Sequence, residues 1–440
     1  MRSYSDLFRT PEFTPLFLTS ALQGAASTVG GLALGTLVYR ATDSPLLSAL
    51  SMFGPSLAQV LGATTLLSAA DRLPPRATTT GIALAFALGT AAVALPGLPV
   101  AAIFGILFAL GLVASLGGGV RWGLLNEILP RDGYLLGRSV FNMMNGLTQV
   151  AGYAAGGVLV AVVSPRVGLL TAAALYLAAA AGTRFGLTRR APRASGRPSI
   201  ARTWRTNALL WSDGPRRTVY LLLWIPNGLV VGCESLFVSY APEHAGVLFA
   251  SAAFGMLVGD VTTGRLLAPR VRTRLGVPFL LLLATPYLVF VLRPGIVVSA
   301  ACAAVASVGF GSSLIQQERL MALTPDELAG HALGLHSSGM LTLQGVSAAL
   351  AGSIAQLASP GAAMTAMAAA SVAVTAAITL TARVPAPVRV RVPGSRGSAT
   401  EPVTGPATEP VTEPVTGPVP GPAPEPTPGG ASPGRAKPCP

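Results

Sequence analysis

The sequence contains few charged residues. Only 11% of its 440 residues are Asp, Glu, Lys or Arg, whereas a soluble domain carries about 25%. Hydrophobic residues make up 51% of the chain, and the mean hydropathy is +0.60. This composition excludes an ordinary soluble protein and predicts an all-α integral membrane protein.

The sequence also lacks the motifs of common catalytic and metal sites. It contains no Gly-rich phosphate loop followed by Lys and Ser or Thr, no His/Glu pair at helical spacing, and no Ser-centred nucleophile elbow. Its three cysteines, Cys233, Cys302 and Cys439, have neither pairing nor metal-ligand spacing. We therefore expect no enzyme activity, no metal and no cofactor, so that any energy for function comes from a gradient.

The net charge of +13 comes from arginines that cluster between apolar runs. In a soluble chain such a charge would indicate nucleic acid. Here the expected counterions are the anionic headgroups of the lipid bilayer, and no nucleic-acid partner is expected.

Apolar runs of about 20 residues, the length that a bilayer requires, recur twelve times. They fall at about 15–39, 45–69, 77–97, 99–120, 136–162, 166–188, 218–240, 245–267, 276–293, 295–317, 333–357 and 361–382. Helix-stopping residues such as Pro74-Pro75 and Pro96-Gly97 separate them. The pattern predicts six transmembrane helices, a polar linker and six more.

The two halves are related by a repeat. The stretch from Pro130 to Pro165 aligns with that from Pro325 to Pro360, and the alignment pairs Gln149 with Gln344 and Gly157 with Gly352. A long repeat in a hydrophobic chain is typical of duplicated membrane bundles. We therefore predict two six-helix bundles related by a parallel repeat.

These boundaries divide the chain into five parts. The prediction gives a cytoplasmic N-terminus at 1–14, the first bundle at 15–188, a basic linker at 189–217 with an interfacial helix near Ile200 to Trp211, and the second bundle at 218–383. Residues 384–440 form a Pro-rich repeat that we expect to be a disordered tail. Such a tail is either passive or a ligand for a peptide-binding domain.

Arginine is scarce on one side of the predicted topology. The outer loops hold only Arg40, Arg166 and Arg293 when the N-terminus is placed in the cytoplasm. The positive-inside rule then puts both termini in the cytoplasm and the protein in the cytoplasmic membrane. No removable signal peptide is evident, and we expect a monomer.

The junction of the second and third helices, LLSAADRLPPRATTT, resembles the loop signature G-x-L-a-D-R-x-G-R-R/K of the major facilitator superfamily. Asp71, Arg72 and Arg76 match, whereas Leu67 and the pair Pro74-Pro75 depart from it. The resemblance implies two bundles that rock between inward-open and outward-open states. It also implies that the pair Asp71 and Arg72 latches the cytoplasmic helix ends, with a surface ion pair as the alternative.

Two further stretches resemble the macrolide-efflux-type drug/proton antiporters of that superfamily. The first is the end of the first helix, through Tyr39, Thr42 and Ser44-Pro45. The second is the fifth helix, where the glycines of Gly152-Tyr153-Ala154-Ala155-Gly156-Gly157 resemble the core G-P-x-x-G-G, with Tyr153 in place of proline. In that family the glycines Gly152, Gly156 and Gly157 would seal the pathway between the halves; simple helix packing is the alternative.

Two carboxylates lie within apolar helices and are candidates for coupling. Glu234 follows the longest apolar run of any acid in the chain, and burial disfavours its ionised form, so it is the first candidate for binding a proton or a cationic substrate. A place at the outer membrane interface, near Glu243 and His244, is the alternative for Glu234. Asp260 is the second, although pairing with Arg265 is an alternative role. The first helix, in which the family often has a carboxylate, contains Gln23 and no acid.

Other polar residues within the predicted helices are candidates to line a cavity. Arg121 could meet an anionic substrate group or snorkel to the headgroups. The neutral candidates, for which interhelical hydrogen bonding is the alternative role, are Gln23, Asn145, Gln149, Asn227, Gln316 and Gln344.

Together these features predict a secondary active transporter that exports a small amphipathic or cationic organic compound, such as a drug or secondary metabolite, with protons as candidate coupling ions. An importer or uniporter without proton coupling is the first alternative, because the first helix has no acid. A transport-dead membrane scaffold or sensor is the second.

Overall fold

The computed structural model describes residues 4–70, 73–191 and 200–381. Asp71 and Arg72 of the predicted latch, and the tail at 384–440, lie outside these residues. All regular structure in the described part of the chain is helical, which confirms the all-α prediction.

Twelve helical segments lie at the twelve predicted positions. Ten are long and apolar enough to cross a membrane; the fourth is a shorter apolar helix, and the fifth is long but more polar. They are α1 Phe13–Thr42, α2 Pro45–Ala63, α3 Pro75–Val93, α4 Val100–Ala114, α5 Arg131–Val162, α6 Pro165–Gly186, α7 Gly214–Tyr240, α8 Ala245–Leu266, α9 Arg270–Leu292, α10 Ile296–Ala322, α11 Asp326–Leu357 and α12 Pro360–Thr381.

Several of these helices are interrupted, and three shorter helices accompany them. In α2 the helix Pro45–Phe53 is followed by Pro55–Ala70, which continues beyond the apolar span that ends at Ala63. Within α7 the helix Gly214–Glu234 ends before Phe237–Tyr240. α8 ends in a π-helical turn, Thr262–Leu266. The shorter helices are Tyr4–Arg9, Gly117–Ile128 and Ile200–Ser212.

The helix starts follow from local sequence. Ser44 and Ser164 each precede a proline at the first helical position, and their hydroxyls accept the backbone N–H of Leu47 and Val167, both at 3.2 Å. A serine cap satisfies one of the free N–H groups at a helix start, and proline fits the first turn because its missing N–H needs no partner there.

The pairwise packing of the first six segments recurs in the second six. In the first half α1 packs against α5 and α6, α2 against α4, and α3 against α6. In the second half α7 packs against α11 and α12, α8 against α10, and α9 against α12. This is the packing expected of a parallel repeat. It places the most buried helix of each half, α1 or α7, beside the helix that contains the repeated stretch, α5 or α11.

The two halves meet along two helix pairs, α2 with α11 and α5 with α8. The Ser44 hydroxyl donates to Gln356 Oε1 at 2.8 Å, and that of Ser56 donates to the Leu341 carbonyl at 3.0 Å. We call the end of the bundle that holds Ser44 and Gln356 the outer end, after the predicted orientation. The hydrogen bonds at Ser44 and Ser56 tie α2 to α11 from that end towards the middle of the molecule.

The linker contains the helix that the sequence predicts. Ile200–Ser212 has Trp204 61% exposed on its surface. Trp211 of the same helix stacks on Trp224 of α7 with ring centroids 5.5 Å apart. The helix therefore packs on the second half by one aromatic face and leaves another tryptophan free for a lipid interface.

A network around Glu12 joins three separate parts of the first half. Its carboxylate accepts two hydrogen bonds from the Arg190 guanidinium, at 3.0 and 3.3 Å, and two from Thr188. Arg190 Nε lies 3.5 Å from Glu127. Glu12 has a φ of 67°, in the left-handed region that non-glycine residues rarely adopt. The four donors compensate for that backbone strain and fix the entry into α1.

We expect Glu12→Gln to lower the free energy of unfolding by about 1–3 kcal/mol, because the amide no longer accepts the charge-assisted bonds of Arg190. The loss would be measured as a lower Tm of the detergent-solubilised protein. Glu327→Gln, which changes an exposed carboxylate that is also predicted to face the cytoplasm, serves as the control. Equal Tm values for the two variants would contradict the stabilising role of Glu12.

Candidate functional site

A cavity of about 420 Å³ lies between the two halves. Helices of both halves line it, and its polar residues come from α1, α5, α7 and α11: Ser27, Thr28, Asn145, Thr148, Gln149, Tyr153, Glu234 and Gln344. Among the described residues that line it, none carries a positive charge. The cavity therefore combines a single carboxylate with several neutral hydrogen-bonding groups.

Glu234 supplies that carboxylate from the end of the helix Gly214–Glu234 within α7. The helix breaks after this residue, at Ser235 and Leu236. The side chain is 5% exposed, and its Oε1 accepts a hydrogen bond from the Ser307 hydroxyl of α10 at 3.4 Å. One long neutral hydrogen bond does not compensate an ionised carboxylate for the loss of water. A proton or a bound cation would do so.

Three neutral candidates from the sequence lie around the same cavity as Glu234. Asn145 and Gln149 belong to α5, one turn apart on one face, and Gln344 belongs to α11. Gln149 and Gln344 are equivalent positions of the repeat, so the cavity is lined by matching residues of the two halves. Their amides can donate and accept, which suits a substrate with hydroxyl or carbonyl groups.

Sequence reasoning missed other contributors to this site. Tyr153, seen in the sequence only as a replacement for proline, lines the cavity and stacks on Phe249 of α8 with ring centroids 4.8 Å apart. Ser307 is fully buried and bonds Glu234. The sequence carries no signal for either role, because each depends on a helix that is distant along the chain.

Arg121 and Gln23 contact each other away from the central cavity. The Arg121 guanidinium donates to Gln23 Oε1 at 3.3 Å, and both side chains are half-buried. Neighbouring Trp122 lies under the guanidinium of Arg138, 5.2 Å from the ring centre. The Arg121–Gln23 bond joins the helix Gly117–Ile128 to α1.

Two other candidates, Asn227 and Gln316, lie outside the residues that line the cavity. Asn227 is 1% exposed, and its amide donates to the Leu223 carbonyl of its own helix at 2.6 Å. Gln316 is fully buried in the second half, where Gly276 of α9 is its neighbour. Asn227 lies seven residues, or about two turns, before Glu234 and so on nearly the same face of the helix. Its distance along α7, and not the helical rotation, separates it from the cavity.

Asp260 lies on an exposed face of α8, just before the π-helical turn. It has no ion pair among the described residues, and Arg265 is directed elsewhere. The Arg265 guanidinium donates to the Ser139 hydroxyl of α5 at 3.3 Å and lies 3.1 Å from Met143 Sδ. Arg265 therefore joins the two halves, whereas Asp260 lies outside the cavity lining.

The remaining gating candidates make contacts of two kinds. Arg76 donates to the Leu187 carbonyl at 3.0 Å, within the first half. Gly156 packs on α1, where a Cβ would lie 3.2 Å from the Cα of Val29, and Gly152 packs there against Thr28. Gly157 instead faces the second half, and a Cβ on it would lie 2.7 Å from the Cα of Gly246.

Comparison with known proteins gave matches in structure alone. No family model matches the sequence, and no curated protein matches it. The nucleoside transporter NupG superposes with a TM-score of 0.71 at 12% identity, covering 83% of this chain and 98% of that chain. A POT family transporter solved with a thioalcohol-conjugated peptide gives 0.67 at 10% identity, covering 83% and 95%.

A third match is a bacterial homologue of the human lysosomal transporter Spinster in an inward-facing conformation. Its TM-score is 0.59 at 15% identity, and the match covers 83% of this chain and 93% of that chain. At such low identity the likeness shows the fold, while the narrower resemblance to macrolide-efflux-type antiporters stays a prediction. The protein is a multi-pass, all-α membrane protein with the fold of major facilitator-type transporters.

Proposed function

We propose that the protein is a secondary active transporter that exports small amphipathic or cationic organic compounds by alternating access, with protons as the coupling ion. The observation that carries the proposal is the position of Glu234. It is a buried carboxylate in a cavity between two helix bundles, and none of the described side chains that line that cavity is basic. A protonatable or cationic ligand is what such a site favours.

The contacts at the outer end support an alternating mechanism. α2 is bonded to α11 there through Ser44 and Gln356, and α5 meets α8 through Gly157 and Gly246. These contacts close the cavity towards the predicted outside. Export then requires that they separate while the opposite end closes, as in rocking-bundle transport.

The proposal can be tested in proteoliposomes with labelled choline as a compact cation. We expect counterflow of choline that excess unlabelled choline inhibits and its neutral carbon isostere does not, because the isostere lacks the charge that Glu234 attracts. An acidic vesicle interior should then drive choline accumulation at a clamped membrane potential. Liposomes without protein are the control.

The outcomes separate the alternatives. Counterflow without accumulation in the pH gradient would contradict proton coupling and favour the uniporter. Equal inhibition by the neutral isostere would contradict the cationic substrate class. The absence of any transport for a wider panel of organic cations would favour the membrane scaffold.

A further inference from the structure

A second cavity lies inside the first half, with a volume of about 320 Å³. Helices α1, α2, α3, α4 and α6 line it together with Gln344 of α11, and we call it the side chamber. It shares Ser27, Phe53 and Gln344 with the central cavity. The two spaces therefore adjoin, and these three residues form their common boundary.

The side chamber differs chemically from the central cavity, because no residue of its described lining is charged. Phe86 and Tyr176 form an aromatic wall, with ring centroids 5.2 Å apart and planes tilted by 42°. Gln59 and Thr90 also line it, and in the described part of the chain neither side chain makes a hydrogen bond. A neutral molecule with aromatic surface and hydroxyl groups suits this lining.

The interruption of α2 lies at the side chamber. The helix Pro45–Phe53 ends at Gly54, and Pro55 begins the next helix. Phe53 and Pro55 both line the chamber. On the facing helix α1, Gly31 also lines it, and a Cβ on Gly31 would meet no atom within 4 Å. The chamber is therefore open at Gly31, and a larger side chain there would enter it.

We propose that the transported molecule is an elongated amphipathic amine that occupies both spaces. Its cationic nitrogen lies at Glu234, and its neutral aromatic or hydroxylated body passes Phe53 into the side chamber. Each volume is at the lower end of the range for small-molecule pockets, roughly 300–1,000 Å³. A charge in the chamber would lack a partner, so the charged end belongs at Glu234. This inference rests on the proposed function and specifies its substrate.

Gly31→Leu tests the proposal, because its Cβ meets no atom within 4 Å and the rest of the side chain would extend into the chamber. Doxorubicin serves as the elongated probe, since it joins an amino sugar to a hydroxylated aromatic ring system and is fluorescent. We expect Gly31→Leu to weaken doxorubicin binding to the purified protein roughly tenfold or more. Choline counterflow should be unchanged, since choline needs only the central cavity.

Gly105→Leu is the matched control, because Gly105 is exposed on α4 and a Cβ there also meets open space. It should leave both probes unaffected. Gln59→Leu is a second test variant. Leucine is similar in volume to glutamine, but the substitution removes one hydrogen-bonding side chain from the chamber. It should weaken doxorubicin binding severalfold and leave choline counterflow unchanged.

The results separate failure of this inference from failure of the proposed function. If Gly31→Leu changes neither probe, or weakens both equally, the side chamber is not a part of the binding site. If the unmodified protein transports choline but does not bind doxorubicin, the elongated substrate class is wrong while cation transport stands. If Glu234→Gln leaves choline counterflow intact, the proposed function itself is wrong.

Discussion

Glu234→Gln should reduce choline transport by at least about 20-fold. Removing one partner of a buried charge pair costs about 2–5 kcal/mol, and each 1.4 kcal/mol is about a factor of ten. Glutamine keeps the size of the side chain and can still accept a hydrogen bond from Ser307. The variant therefore removes the charge and the proton-binding group while preserving the packing of α7.

The loss should appear in two separate measurements on the same proteoliposomes. Counterflow reports the affinity of the cavity for the cation, and accumulation in a pH gradient reports coupling to protons. Glu234→Asp, which keeps the charge on a shorter side chain, should restore part of both. If Glu234→Gln still accumulated choline in the pH gradient, Glu234 would have no role in proton coupling.

Glu243→Gln is the matched control for this experiment. Glu243 lies in the loop between α7 and α8, only nine residues after Glu234, and is exposed. Its neutralisation should leave transport unchanged, because its charge is solvated by water. If Glu243→Gln lost as much transport as Glu234→Gln, the loss would reflect a general effect of negative charge at the outer end and not a role of Glu234 in the cavity.

Gly157→Leu should abolish transport. Gly157 and Gly246 bring the backbones of α5 and α8 into contact at the outer end, where even a Cβ on Gly157 would lie 2.7 Å from the Gly246 Cα. Backbone atoms cannot turn aside as a flexible side chain can, so the helices must separate. We therefore expect a protein that cannot close its outer end, with at least a tenfold loss of counterflow and a lower Tm, since overpacking costs about 1–3 kcal/mol.

The change of state can be measured by the reactivity of a cysteine introduced at Gln149 in the cavity. With a membrane-impermeant maleimide added at the outer end, Gly157→Leu should increase labelling of that cysteine. Gly246→Leu should do the same, because it widens the same contact. Gly105→Leu, which meets open space, should not. Unchanged labelling in both contact variants would contradict the view that this glycine pair closes the outer end.

The architecture could be predicted because a bilayer leaves few alternatives. A chain in hydrocarbon must satisfy every backbone N–H and C=O internally, so apolar runs of about 20 residues become helices. The stops at Ser44-Pro45 and Ser164-Pro165 also follow from local chemistry. The fourth and fifth segments match less well, since their Gly and Arg content breaks α4 early and makes α5 more polar.

The candidate site was only partly predictable. Glu234 stands out in the sequence because an acid after a long apolar run is unfavourable unless it has a role, and Gln149 and Gln344 stand out through the repeat. Asn227 and Gln316 have the same polar character but lie outside the cavity lining. Polarity marks a candidate, while its position along the helix and the neighbouring helices determine whether it reaches the cavity.

The sequence by itself determined the all-helical class, the positions of the helices, the repeat and the scarcity of charge in the apolar core, because each depends on local composition and on the properties of the bilayer. Only the tertiary structure decided that Tyr153, Ser307 and Phe53 belong to the site, and that a side chamber opens beside the cavity. These features arise where helices distant in sequence pack together. Their physical basis is the shape of the helix surfaces, which the order of residues along one helix does not reveal.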